Sequence, residues 1–131
     1  VLNASNSSEI DAAFTTIVQQ QAGALLVGSD VFYISRTDQI VTLAARHAVS
    51  TIYAYIEQGP AGALICYGAG LASTQRSVGV YTGRILKGER PADLPVQQVT
   101  KLQLVINLKT AKTLHLTVSQ SLLQRADEVI Q

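Results

Sequence analysis

The sequence predicts an α/β fold, with a three-layer parallel sheet flanked by helices. Short apolar runs rich in Leu, Ile, Val and Tyr ("ALLVG", "STIYAY", "ALICYG", "LQLVINL") alternate with longer stretches whose apolar residues recur at helical period. Glycines, prolines and polar clusters separate these runs at the spacing of strand-helix-strand units, which demand parallel strands. The chain has 131 residues, enough for one compact core and too few for two ordinary domains.

The elements follow in order. After "VLNA", the stretch "SNSSEIDAAFTTIVQQQ" sets Ile10, Ala13, Phe14, Ile17 and Val18 on one face of a helix, and Asn6 with Glu9 forms a capping-box start. Gly23 punctuates, and "ALLVG" reads as a short buried strand running into Ser29-Asp30. Ser35 with Asp38 repeats the capping logic for a second helix, "RTDQIVTLAARHA", with Ile40, Leu43, Ala44 and Ala48 inward. "STIYAY" is β-branched and aromatic, hence a strand; "EQGPAG" is a turn and "ALICYG" the next strand. A long helix is expected from Leu71 to Leu86, stopped by Gly88 and the two prolines of "KGERPADLP". "LQLVINL" is a strand and "KTAKTLHL" a short helix, and Thr117 with Gln120 is expected to open a terminal helix, "VSQSLLQRADEVI".

Composition narrows the function classes. Hydrophobic residues make up 47% and charged residues 15%, a globular profile. No apolar stretch approaches the roughly 20 residues of a membrane helix. Lys and Arg total 10 against 9 Asp and Glu, so the net charge of +1, scattered along the chain, gives no electrostatic reason to bind nucleic acid. The single cysteine, Cys66, rules out an internal disulfide and sits in an apolar run, as a small core residue does. The chain opens on Val1 and holds no Met, so "VLNAS" is expected to be the middle of a longer or processed protein.

In open parallel sheets ligands bind beyond the carboxyl ends of the strands, so the residues following each strand are the candidate site. They are Ser29, Asp30, Phe32 and Tyr33 after the first strand, Tyr55 and Glu57 after the second, and Tyr67 and Gly68 at the third. Two carboxylates, a hydroxyl and several aromatic rings suit a small polar or zwitterionic organic ligand. Each also has a structural role open to it: Ser29 and Asp30 as turn formers, Tyr55 as a packing residue, Glu57 as a solvated loop carboxylate.

Gly68-Ala69-Gly70-Leu71-Ala72-Ser73 comes within one residue type of the G-x-G-x-x-G/A turn that cradles a pyrophosphate. The context is wrong for it. Glu89 has the count of the ribose-binding acid but lies in a loop, and no P-loop lysine follows the glycines. The glycines instead allow a sharp exit from a strand, while Gly79 and Gly83, four apart on a helix, permit close packing. His47 and His115 have no adjacent nucleophile or carboxylate, and no metal-ligand or hydrolase motif is present. No cofactor and no catalytic residues are therefore expected.

The order of motifs, "GALLVGSDVFYISRTDQIVTLAARHAVSTIYAY" and then "GALICYGAG" through "GRILKGERPADLPV" and "LVINLKTAK", resembles the C-terminal part of the solute-binding proteins of ABC transporters, in the subfamily that includes binders of aromatic amino acids. The likeness runs over nearly the whole chain. It implies a periplasmic-binding-protein-like lobe, incomplete, from a protein of two α/β lobes joined by hinge crossings with the solute between them. Residues 1–59 would belong to the second lobe, 60–100 to a hinge crossing and a first-lobe helix, and 101–131 to a return strand and C-terminal helices. Ligand contacts would fall on Ser29, Asp30, Phe32, Tyr55, Glu57, Tyr67 and Gly68. Members often read "DPFF" where this chain has Asp30-Val31-Phe32-Tyr33, and a common Pro and Gly are replaced by Ser119 and His115.

The same resemblance implies export from the cytoplasm and delivery of the solute to ABC permease subunits. Family members are more than twice as long, so a chain of this size lacks most of one wall of the cleft. It is then expected to bind solute weakly or not at all, and to form a homo-oligomer that covers the orphaned apolar faces. A ligand-sensing regulatory domain of the same fold is an alternative function. A third is an enzyme using Asp30 and Glu57 as an acid/base pair, which requires a strongly shifted pKa in one of them.

Overall fold

A computed structural model describes residues 1–97 and 100–131. In chain order the elements are α1 (Ser7–Gln19), β1 (Ala24–Leu26), α2 (Val31–Ser35), α3 (Thr37–Arg46), β2 (Ser50–Tyr55), a 3-10 turn (Ile56–Gln58), β3 (Ile65–Ala69), α4 (Leu71–Leu86), a second 3-10 turn (Pro91–Asp93), β4 (Gln103–Asn107), α5 (Leu108–Thr113), α6 (Gln120–Leu123) and β5 (Glu128–Ile130).

The fold is α/β, as expected, on a five-stranded sheet of order β1-β2-β3-β4-β5. The sheet is mostly parallel. β1, β2 and β3 run parallel, β4 pairs antiparallel to β3, and β5 runs parallel to β4. The reversal follows from connectivity: the chain leaves β3 through α4 and re-enters beside β3 from the same end of the sheet. The start of β4 therefore lies at the carboxyl ends of β1 to β3.

The first helix forms as its capping box dictates. Asn6 Oδ1 accepts from the Glu9 amide at 3.0 Å, and Glu9 Oε2 accepts from the Ser5 amide at 2.6 Å. Two expectations need correction. The helix expected over "RTDQIVTLAARHA" forms as α3, but Ser35 does not cap it: a further short helix, α2, precedes it, capped by Asp30, which accepts from the Phe32 amide at 2.7 Å, while Ser35 Oγ donates back to the Phe32 carbonyl. The terminal helix is only α6, capped by Ser119 and not Thr117, and "EVI" is a strand. Three residues carry too little periodicity to reveal an edge strand, and it is the pairing of Glu128, Val129 and Ile130 with β4 that makes them one.

The core lies on one sheet face, where Ile10, Phe14 and Ile17 of α1 and Ile40 and Ala44 of α3 meet Tyr53, Cys66 and Val105. Cys66 is fully buried, and burial pushes its thiol up to about 12, with the charge of Glu57 adding to the shift. Tyr53 is also fully buried; burial pushes its phenol up to about 12, partly offset by Thr51. Among the described residues nothing reaches hydrogen-bonding geometry with the Tyr53 hydroxyl. The opposite face is different. Register places Leu26 beside Ile52 and Ile52 beside Ile65, with Tyr67 two residues further along β3, and Leu26, Ile52 and Tyr67 are 74%, 38% and 56% exposed.

Asn107 ties the lower end of the sheet together: its side-chain amide donates to the Gly59 carbonyl at 3.0 Å while its Oδ1 caps α5 at Thr110. The glycine pair before α4 has a structural cause. Register slips between Tyr53 and Tyr55, which pair with Cys66 and Ala69, so Tyr67 and Gly68 oppose the single residue Ala54. A Cβ on Gly68 would sit 1.8 Å from the Ala54 carbonyl oxygen. Only glycine fits the bulge.

Candidate functional site

The carboxyl ends of β1, β2 and β3 form one rim, built by three parallel strands in adjacent positions. β1 runs on through Val27, whose amide donates to the Ile52 carbonyl at 2.9 Å, and then releases Ser29 and Asp30 above the sheet. There Ser29 Oγ donates to the Tyr55 hydroxyl at 2.8 Å, joining the ends of β1 and β2 across the rim. Tyr55 pairs with Ala69, so Gly70 and the start of α4 follow next in the row.

Glu57 stands beside that start. Its Oε1 accepts from the Leu71 amide at 2.6 Å. Asp30 and Phe32 are turned to α2: Asp30 caps the helix, and the Phe32 ring lies 5.6 Å from Tyr33 and 5.8 Å from the Arg36 guanidinium. Tyr33 uses its hydroxyl to accept from the Ala4 amide at 3.3 Å, which fastens the N-terminal segment. Tyr67 projects from the exposed sheet face opposite the core, and Gly68 is buried in the bulge.

Of the residues singled out from sequence, the fold thus joins Ser29 to Tyr55 directly and sets Glu57 against the exit of β3. Asp30 and Phe32 flank the rim from α2, and Tyr67 and Gly68 belong to β3 itself. Asp30 and Glu57 each have one carboxylate oxygen committed to a backbone amide. Among the described residues no group of His, Cys, Asp and Glu gathers as a metal site, and no helix is long and apolar enough to cross a membrane.

The antiparallel return adds residues that sequence reading missed. Gln103, at the start of β4, pairs with Gly68 on the rim. Asp127 arrives with β5: its Oδ2 accepts from the Leu104 amide at 2.8 Å, and its own amide donates to the Leu104 carbonyl at 2.8 Å. No local sequence signal marks them: β1 to β3 leave the sheet at one end and re-enter at the other, and only the fold shows β4 returning at the end from which β3 leaves.

The chain belongs to the ABC transporter substrate binding protein family, whose profile matches residues 1–130. Solved structures share the fold. A conserved domain protein from Vibrio cholerae superposes with a TM-score of 0.86 at 23% identity, over 96% of this chain and 42% of that one. An ABC domain in complex with L-Trp from Streptococcus pneumonia gives 0.84 at 25% identity, over 95% of this chain and 43% of that one. The ligand-free, open structure of a substrate binding protein with adhesive properties from Clostridium difficile gives 0.64 at 21% identity, over 98% of this chain and 42% of that one. This chain therefore spans less than half the length of these relatives. A search of curated proteins gives no match.

Proposed function

We propose that the chain forms one wall of a solute-binding cleft and holds a small polar solute of the amino-acid class at the carboxyl ends of β1 to β3. The observation that carries this reading is the rim itself, where Ser29 is bonded to Tyr55 beside Glu57 on a sheet whose carboxyl ends are open. Ser29 and Asp30 offer acceptors to an ammonium group, Phe32, Tyr55 and Tyr67 offer ring faces and edges, and Gly68 lets the backbone come close. The L-Trp held by the Streptococcus structure supports an amino acid as the solute.

In this reading residues 1–59 belong to one lobe, 60–100 to the crossing and an arm of the other, and 101–131 to the return. The second wall corresponds to chain that the longer relatives possess, and the exposed side chains of Leu26 and Ile52 are what the missing chain, or a second copy of this one, would cover. The role is transport and not catalysis: an extracytoplasmic binder that hands its solute to ABC permease subunits.

Saturation-transfer NMR with a panel of amino acids tests the reading, because it registers the weak, millimolar binding that a single wall supports. Transfer to L-Trp or another member of the panel is expected, weakened several-fold by Tyr55→Phe. No transfer to any amino acid refutes the assigned solute class.

A further inference from the structure

We propose that Glu57 is a positioning residue that fixes the direction in which α4 leaves the sheet, acting through the amide of Leu71. The inference deepens the two-wall reading, on which its consequence for solute capture rests, but its geometric content is measurable without solute.

Helices are ordinarily capped by the residue that begins them, through a Ser, Thr, Asp or Asn side chain. α4 begins at Gly70, which has no side chain, and no local side chain caps it. The hydroxyls nearby are turned the other way: Ser73 Oγ donates to the Gly70 carbonyl at 2.7 Å and Thr74 Oγ1 does so at 3.4 Å. The Leu71 amide is instead bonded by a carboxylate 14 residues back in the chain, across the rim from the turn that follows β2. A local cap at Gly70 would take the Ala72 or Ser73 amide and leave the helix free to pivot at Gly70. The remote carboxylate takes the Leu71 amide and ties two segments together.

Among the described residues little else holds the arm. No residue of α4 is buried, and among the described elements none packs extensively against it. The Tyr81 hydroxyl donates to the Pro95 carbonyl and Arg84 pairs with Glu89 at 2.6 Å, but both partners lie in the segment that follows the helix and not in the sheet. The anchor point is also tight. A Cβ on Gly70 would stand 3.2 Å from Ile56 Cδ1 and 3.4 Å from Glu57 Oε1, so glycine here admits the carboxylate to the helix end. The positive end of the helix dipole favours a carboxylate in that place. If α4 reaches the second wall, the angle set by Glu57 is the angle between the walls.

The test places spin labels on cysteines introduced at Gln19 on α1 and Val80 on α4, both exposed, while buried Cys66 stays unlabelled. Double electron-electron resonance then reads the distance distribution in the absence of solute. A narrow distribution is expected with Glu57, at least twofold broader in Glu57→Leu, and close to the original width in Glu57→Gln, whose amide oxygen still accepts from Leu71. In Glu57→Leu with Gly70→Ser, the new serine caps the helix locally, helix content by circular dichroism is at least that of Glu57→Leu, and the broad distribution persists. An unchanged width in Glu57→Leu, a Glu57→Gln variant as broad as Glu57→Leu, or a narrow width regained with the serine cap each overturns the proposal. Absence of amino-acid binding with these widths as expected refutes the solute reading alone.

Discussion

Replacing Gly68 with alanine probes the feature that shapes the rim. The new methyl would lie 1.8 Å from the Ala54 carbonyl oxygen and 2.8 Å from its carbonyl carbon, where real Cβ atoms keep at least 3.0 Å. The obstacle is backbone of the neighbouring strand, so no rotamer change relieves it. β2 and β3 must part by about 1 Å or the bulge must be lost, and either route strains ladder hydrogen bonds between Tyr53 and Tyr55. Overpacking of this kind costs about 1–3 kcal/mol, and a weakened buried hydrogen bond adds about 1 kcal/mol. A loss of roughly 3 kcal/mol is therefore expected, or about 10 °C in melting temperature for a chain of this length. Urea unfolding at neutral pH measures it. A Gly68→Ala protein within about 0.5 kcal/mol of the original, the range of an inert surface change, refutes the bulge as described.

Gly79 and Gly83 are expected to respond in the opposite sense, because nothing lies within 4 Å of a Cβ built on either. Alanine at each should stabilise the isolated chain by about 0.5–1 kcal/mol through helix propensity, read in the same urea titration. Asn107→Ala removes the cap of α5 and one of the two donors to the Gly59 carbonyl, which keeps the Gly62 amide at 3.0 Å, a loss of about 1–2 kcal/mol by thermal unfolding. His115 has a φ of 54°, so His115→Gly should raise stability by about 1 kcal/mol.

Alkaline pH should unfold the protein, since Cys66 and Tyr53 are acids whose neutral forms burial favours. Their stabilisation is complete below the ordinary values of 9.0 and 10.0 and is lost as pH rises toward about 12, because the unfolded chain releases protons first. Denaturation followed from pH 8 to 12 shows this as a steep fall, and a flat profile contradicts it.

What the sequence reveals follows the range of the interactions involved. The Asn6 and Glu9 box is visible because both partners lie within one helical turn, and α4 is bounded by residues that act locally, Gly70 before it and Gly88 after it. Ser35 has the residue type of a cap, but Asp30, read from sequence as a turn former, starts a short helix that Ser35 ends, which depends on the chain direction after β1. β5 was read as helix because three residues express no period of their own, and its partner lies 23 residues away in sequence, between Val105 and Glu128. At the rim, residue types and strand ends are readable; the glycine at Gly68 reads as a sharp strand exit, and its actual cause, the Ala54 carbonyl opposite the bulge, depends on the register with β2. The Ser29 bond to Tyr55 and the Glu57 bond to Leu71 are not readable, since each joins elements whose neighbourhood depends on strand order.

Residue-resolved NMR of the chain titrated with L-Trp tests the placement of the solute most directly. Shifts concentrated in the amides of Ser29, Asp30, Tyr55, Glu57 and Gly68, at the carboxyl ends of β1 to β3, are the expected result. Shifts confined to the exposed sheet face around Leu26 and Ile52, or to α4, would place the ligand away from the rim and contradict it.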